Sequence, residues 1–266
     1  MKLLKRLWPI PVLFIISALM IRACAQMIPF NIEPERVRPQ AKIELPKVQT
    51  VPDAVDYFFE PSSFEIKPGD PYPMVHMRIP KAPYFEKTAK SGPHRDYNMY
   101  ITMFYPNFSG LADEENRADC FEVAGHCRRQ LTVGFGFTSN PNNFTQQAYY
   151  NILQEDIKKG YVKAVSGPSK YPNLELFSES EVDETRRTYY VSHDKQGSPE
   201  YTIKCNEYVS SPSCETYFRT TKSPYIYVNL TFVLSLLPQW KEVIEATRNK
   251  VDSMIIQTYE LQTKEQ

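Results

Sequence analysis

Two cysteines that bracket a turn-rich loop, followed at once by strand-forming runs and an amphipathic segment, leave residues 205–259 few ways to fold. The loop between Cys205 and Cys214 reads Asn206-Glu207-Tyr208-Val209-Ser210-Ser211-Pro212-Ser213. After it, Glu215–Arg219 and Tyr225–Val233 are rich in β-branched and aromatic residues and are parted by Ser223-Pro224, which predicts two strands. Beyond them Ser235 is placed to cap a helix and Pro238 to sit in its first turn. Leu237, Trp240, Ile244, Val251, Ile255 and Tyr259 then recur at helical spacing. A helix with one apolar stripe needs a sheet to bury it against. The expected class is α+β, with antiparallel sheets each packed by a helix.

The N-terminus reads as a targeting segment. Lys2, Lys5 and Arg6 precede an uncharged, mostly apolar run from Leu7 to Ile21, which Arg22 closes. That run is shorter than the roughly 20 residues of a membrane span, and Pro9 and Pro11 interrupt it, so residues 1–25 are expected to be a signal peptide or membrane anchor. Ala23-Cys24-Ala25 fits cleavage by an ordinary signal peptidase. Ile21-Arg22-Ala23-Cys24 resembles a bacterial lipobox, with Cys24 the residue to be lipidated and Arg22 a departure from the pattern. An uncleaved inner-membrane anchor is the third reading, and all three put the body in the bacterial envelope, on the periplasmic side.

Cysteine usage agrees with export. With Cys24 removed or lipidated, Cys120, Cys127, Cys205 and Cys214 remain, an even set that allows two disulfides in three connectivities. Cys120–Cys127 and Cys205–Cys214 are the expected pairs, since each flanks a short loop; closing such a loop is worth roughly 2.5 kcal/mol by chain entropy. A zinc or redox site finds little support, because no Cys-x-x-Cys occurs and only His126 lies beside a cysteine.

Loss of residues 1–25 leaves 27 basic against 31 acidic side chains, a net charge of −4, which argues against nucleic acid as a partner. Residues 26–53 carry Pro29, Pro34, Pro39, Pro46 and Pro52 in a charged, weakly apolar stretch and read as a tether. Residues 54–266 form the globular body. Its first part, to Pro93, reads as edge strands and loops, among them Met74–Ile79. Met99–Tyr105 and Leu131–Phe137 are expected strands on either side of a loop from Leu111 to Asp119 and the first cysteine pair. A helix from about Thr145 to Lys159 then ends at Gly160. Thr188–Val191 and Tyr201–Lys204 flank the turn Asp194–Pro199. The order strand, cysteine pair, strand, helix thus occurs twice. It is open to two readings: a degenerate duplication with subdomains 54–165 and 166–266, or one α+β domain with two hairpins.

No Gly-x-Ser-x-Gly elbow, His-Glu-x-x-His pair or phosphate-cradling glycine loop is present, and His76, His94, His126 and His193 stand in separate segments. Gly134-Phe135-Gly136 lies within a strand and marks a bulge or close packing. No catalytic residue, cofactor or metal is expected. Two acidic segments are the candidate partner contacts: Asp113, Glu114 and Glu115, and Glu179, Glu181, Asp183 and Glu184 with Arg186-Arg187 after them.

Several stretches together resemble a known group. They are Met77-Arg78-Ile79-Pro80-Lys81-Ala82-Pro83-Tyr84, Ile101 to Phe108 with its Tyr105-Pro106-Asn107-Phe108, Glu115-Asn116-Arg117, and the ending Cys205…Cys214…Leu237-Pro238-Gln239-Trp240-Lys241-Glu242. Over residues 75–255 the chain is similar to Proteobacterial envelope proteins associated with type VI secretion toxins as their immunity proteins. The resemblance implies a non-enzymatic, exported binder that blocks a cognate toxin in the periplasm by occlusion, with no catalytic residue to carry over. A structural envelope lipoprotein of a larger assembly is the alternative, and a periplasmic enzyme the remote third. The toxin's identity is not legible in these residues.

Overall fold

The computed structural model describes residues 45–61, 71–84, 92–110, 113–121, 127–139, 147–166, 169–171, 173–179, 187–207 and 211–262. Residues 1–44, including the targeting segment, Cys24 and most of the tether, lie outside them, as do Glu181, Asp183 and Glu184.

Among the described residues, twelve strands make two sheets. In chain order they are β1 (Ala54–Phe59), β2 (Pro71–Pro80), β3 (His94–Asp96), β4 (Asn98–Phe104), β5 (Gln130–Phe137), β6 (Val162–Ala164), β7 (Glu175–Glu179), β8 (Arg187–His193), β9 (Pro199–Asn206), β10 (Ser213–Arg219), β11 (Ile226–Val233) and β12 (Ile255–Gln262). The small sheet runs β12-β2-β1-β3 and the large one β4-β5-β11-β10-β9-β8-β7-β6. Every ladder is antiparallel except that of β1 with the three-residue β3, which is parallel. Besides a four-residue helical turn at Lys81–Tyr84, the described helices are α1 (Glu114–Phe121), α2 (Gln147–Lys158) and α3 (Trp240–Met254), the last preceded by a 3-10 turn, Leu234–Gln239. The fold is α+β.

One apolar core joins the inner faces of both sheets to α3. Phe59, Val75, Met77 and Ile79 of the small sheet meet Ile101, Val133, Phe135, Ile203, Phe218, Val228 and Leu230 of the large one, and Val243, Ile244, Val251 and Met254 of the helix. Strand alternation supplies it: along β11, Ile226, Val228, Leu230 and Phe232 are buried while the residues between them are half exposed. A second cluster sits on the opposite face of the large sheet, where Leu153 of α2 packs on Val162, Phe177, Tyr189 and Val191. Gly160 follows α2 with φ +76, the left-handed conformation that ends a helix at little cost to glycine.

Four local expectations are corrected. The helical spacing does not run to Tyr259: α3 stops at Met254, Ile255 turns to φ −75, ψ 117, and β12 adds to the edge of β2. A separation of four residues keeps a face in a strand as well as in a helix. The β-branched Ile255-Ile256 and Thr258-Tyr259 take the strand where an open ladder awaits. Ser235 does not cap the helix; it lies in the 3-10 turn and its hydroxyl donates to the Arg128 carbonyl. Glu114–Phe121 is the helix α1 instead of loop, begun by Asp113, whose carboxylate accepts from the Glu115 N–H at 3.0 Å. Finally, β1 and β2 are interior strands of their sheet, since β3 and β12 cover their outer edges.

The described end of the tether is not free chain. Leu45 and Val48 pack on Phe58, Tyr72 and Met74, and the Gln49 carbonyl accepts from Arg78 at 2.8 Å.

The two disulfides, Cys120–Cys127 and Cys205–Cys214, are both formed, in unlike settings. Cys205 and Cys214 face each other across the β9–β10 ladder, whereas Cys120–Cys127 ties α1 to the start of β5 and packs on Phe104.

Candidate interaction surface

The outward residues of β4, β5, β11 and β10 align in three rows. Register places Tyr100, Gly134, Asn229 and Tyr217 in one row, Asn98, Gly136, Tyr227 and Arg219 in the next, and Thr102, Thr132, Thr231 and Glu215 in the third. Only the start of α2, among the described elements, is seen against these rows. On one side α2 begins, its Tyr149 ring stacked on Tyr217 with centroids 4.7 Å apart. At the far end of β4, Phe104 is buried under the Cys120–Cys127 bridge. Among the described residues nothing else covers the half of the sheet between them, and Tyr100 is 64% exposed.

The two glycines shape this surface. A Cβ on Gly134 would lie 2.5 Å from the Tyr100 ring, and one on Gly136 would lie 2.1 Å from Tyr227. Each ring therefore lies flat across a neighbouring strand, in space that any other residue would fill. The Gly134-Phe135-Gly136 pattern marks close packing, and the β5 ladders run through it without a bulge.

Hydrogen bonds hold the rest. The Asn229 amide donates to Glu215 at 2.8 Å and to the Tyr217 hydroxyl at 2.6 Å, and that hydroxyl donates to Glu215 at 3.2 Å. Burial, the Tyr149 hydrogen bond and the Glu215 carboxylate push the Tyr217 phenol well above its ordinary value. Burial raises Tyr149 and also Tyr227, which has Tyr100 beside it. All stay protonated at neutral pH. The result is a rigid, largely uncharged plane of rings, amide and hydroxyls, with one anion and one cation near its border. Such a plane holds ring faces for stacking and donors for hydrogen bonds at small entropic cost.

The acidic candidates lie elsewhere. Asp113 is engaged in starting α1, while Glu115 is exposed and paired with Arg129 at 3.0 Å; the Glu114 side chain is outside the described set. Glu179, at the end of β7, accepts from the Arg187 N–H at 3.0 Å, and the three acids after it are outside the described residues. Leu131 and Ser178 fall on one register row five ladders apart, about 24 Å at ordinary strand spacing, so the sheet holds Glu179, beside Ser178, well apart from Glu115, which pairs with Arg129 just before β5.

Sequence reasoning also missed a buried polar cluster on the small sheet. Asp56 Oδ1 lies 2.7 Å from His76 Nε2 and accepts from Arg78 Nε at 2.8 Å, with Phe58 stacked on the imidazole. Asp56 and His76 are almost fully enclosed, on neighbouring strands 20 residues apart in sequence. Enclosure denies them a substrate, and their geometry suits a structural role. Among the described residues no cluster of His, Cys, Asp and Glu could hold a metal ion, and no helix is long and apolar enough to cross a membrane.

No protein-family model matches the chain, and no curated protein does. Among solved structures it is similar to an immunity protein of the Stenotrophomonas maltophilia type IV secretion system, with 14% identity, TM-score 0.48, and 77% of this chain and 94% of that one covered. It is also similar to FrpD, the iron-regulated outer membrane lipoprotein of Neisseria meningitidis, with 14% identity, TM-score 0.42, and 76% and 92% covered.

Proposed function

We propose that this protein is an exported, non-enzymatic binder that neutralises a toxin acting in the periplasm, as an immunity protein does. The observation that carries the reading is the open half of the large sheet. Tyr100 and Tyr227 lie flat over Gly134 and Gly136 there, and Asn229 and Glu215 hold Tyr217 in place. Burying a ring that is already immobile costs little conformational entropy, so a plane of this kind binds a complementary protein surface without chemistry. The signal-like N-terminus and the resemblance read from the sequence support the periplasmic compartment, the cognate toxin and type VI delivery. Attachment to the membrane, through lipidated Cys24 or an uncleaved anchor, belongs to the same proposal. So do the contacts of Asp113–Glu115 and Glu179–Glu184, which would flank the plane.

The test targets a toxin encoded beside this gene to the periplasm and co-expresses this protein in four forms: intact, without residues 1–25, as Tyr100→Ala/Tyr227→Ala, and as Glu181→Lys/Asp183→Lys. The intact protein is expected to protect. The form without the signal should fail, and the tyrosine variant should fail or weaken while remaining folded. No protection by the intact protein defeats the immunity reading; equal protection without the signal defeats the compartment. Full protection by the charge-reversed form removes only the acidic segment from the interface.

A further inference from the structure

Where β5 begins and β11 ends, a cleft of about 490 Å³ opens between Cys127-Arg128, Lys170-Tyr171, Ser211-Pro212 and the Val233–Pro238 turn. Its walls are fixed. Cys127 is bridged to Cys120, the Ser235 hydroxyl donates to the Arg128 carbonyl, the Leu234 N–H donates to the Pro212 carbonyl, and Leu236 and Leu237 anchor the 3-10 turn in the core. The described lining is mainly apolar, from Pro212, Val233, Leu234, Pro238 and the Tyr171 ring, and no carboxylate is among those described residues. Arg128 and Lys170 stand exposed at its rim. Lys170 lies over the Tyr171 ring at 5.6 Å, and neither cation is in an ion pair among the described residues. Of the described acids nearby, Glu115 pairs with Arg129 and the Glu207 carboxylate accepts from the Tyr190 hydroxyl at 2.7 Å. A preformed apolar trough with two cations unpaired among the described residues is complementary to one chemistry, an anion carried on an apolar body.

We propose that this cleft, separate from the tyrosine plane, docks an acidic segment of a protein partner: an extended peptide with a carboxylate flanked by apolar side chains. The carboxylate lies between Arg128 and Lys170, and its neighbours fill the trough over Val233, Leu234 and Pro238. The inference rests on the reading that the protein binds another protein. It assigns the positive charge of the contact to this chain, opposite in sign to the acidic segments singled out in the sequence.

The full-length protein, purified from the envelope of expressing cells, is used to pan a random 12-residue peptide library displayed on phage. The expected peptides carry Asp or Glu among apolar residues. Fluorescence polarisation of a labelled representative should weaken by roughly tenfold or more in Arg128→Glu/Lys170→Glu, and by less in Arg128→Gln/Lys170→Gln. It should also weaken as salt rises to about 1 M, where screening shortens to roughly 3 Å. Both cations are exposed, so far-UV circular dichroism and melting should match wild type. Enrichment of peptides without acids, equal binding by the charge-reversed protein, or no enrichment over that variant overturns the proposal. Protection from a toxin that survives those results would keep the immunity reading and remove only the cleft, whereas peptide binding without protection would do the reverse.

Discussion

Trp240→Ala tests the core most directly. Trp240 opens α3, is 7% exposed, and meets Tyr201 of β9 edge to face with centroids 5.5 Å apart. Arg248, one face along the same helix, lies over the Tyr201 and Phe218 rings, so the indole closes a stack that joins α3 to the large sheet. An enclosed indole withdraws roughly 150–250 Å² from water, which at about 25 cal/mol/Å² is about 4–6 kcal/mol as an upper bound. Alanine keeps little of it, and measured losses for such truncations run about 3–5 kcal/mol. A loss of about 4 kcal/mol is expected, a large share of a domain's usual 5–15 kcal/mol. The assay is a urea titration followed by far-UV circular dichroism. Fluorescence cannot serve both proteins, because Trp240 and Trp8 are the two tryptophans and the substitution removes the one in the core. Because both sheets share one core, a single transition should move to lower urea with its slope unchanged. A loss under about 1 kcal/mol would refute the packing and make Trp240 a candidate partner contact.

Three further outcomes are expected. Alkylation of the native protein without reductant should leave Cys120, Cys127, Cys205 and Cys214 unmodified by mass spectrometry; modification of two or more would sink the framework. Burial raises Tyr57, Tyr72, Tyr84, Tyr149, Tyr189, Tyr217 and Tyr227, with Tyr84 pushed up to about 12. Above pH about 10 the unfolded chain then sheds phenol protons that the folded one keeps, so stability should fall as pH rises through 10 to 12. Superimposable ultraviolet titrations of native and denatured protein would refute this. In Gly136→Ala the new methyl meets the end of the Tyr227 ring, not backbone, so the ring should swing away at a cost of about 1 kcal/mol or less. Toxin protection should weaken more than melting does, and unchanged protection would take Tyr227 out of the interface.

Much of the fold is legible where the determining interactions are local. The alternation of Ile226, Val228, Leu230 and Phe232 makes β11 half-buried whatever its neighbours, and the loop spacings favoured Cys120–Cys127 and Cys205–Cys214, as found. Gly160 ends α2 because a left-handed residue there suits glycine. Local preference fails where two states compete. The stretch after Val251 satisfies helix and strand alike, and the free edge of β2, some 180 residues earlier in the chain, decides for strand. The prolines at 71, 73 and 80 read as edge signals, yet β2 lies between β12 and β1.

The candidate surface was the least legible part. Its three rows gather residues from 98 to 231, and two of its defining positions are glycines whose role is to leave room for a ring on another strand. The same holds for Asp252, whose carboxylate accepts from the N–H groups of Thr221 and Lys222, and for Arg128 and Lys170 at the cleft. The amino-acid sequence by itself determined the cysteine pairing and the type of elements with one dominant period, such as β11, because backbone preference, periodicity and short loop closure act over a few residues. Register, sheet order and the surfaces they create were decided only by tertiary structure. They depend on which distant ladder buries the most apolar area, a comparison among whole arrangements that no short stretch of chain encodes.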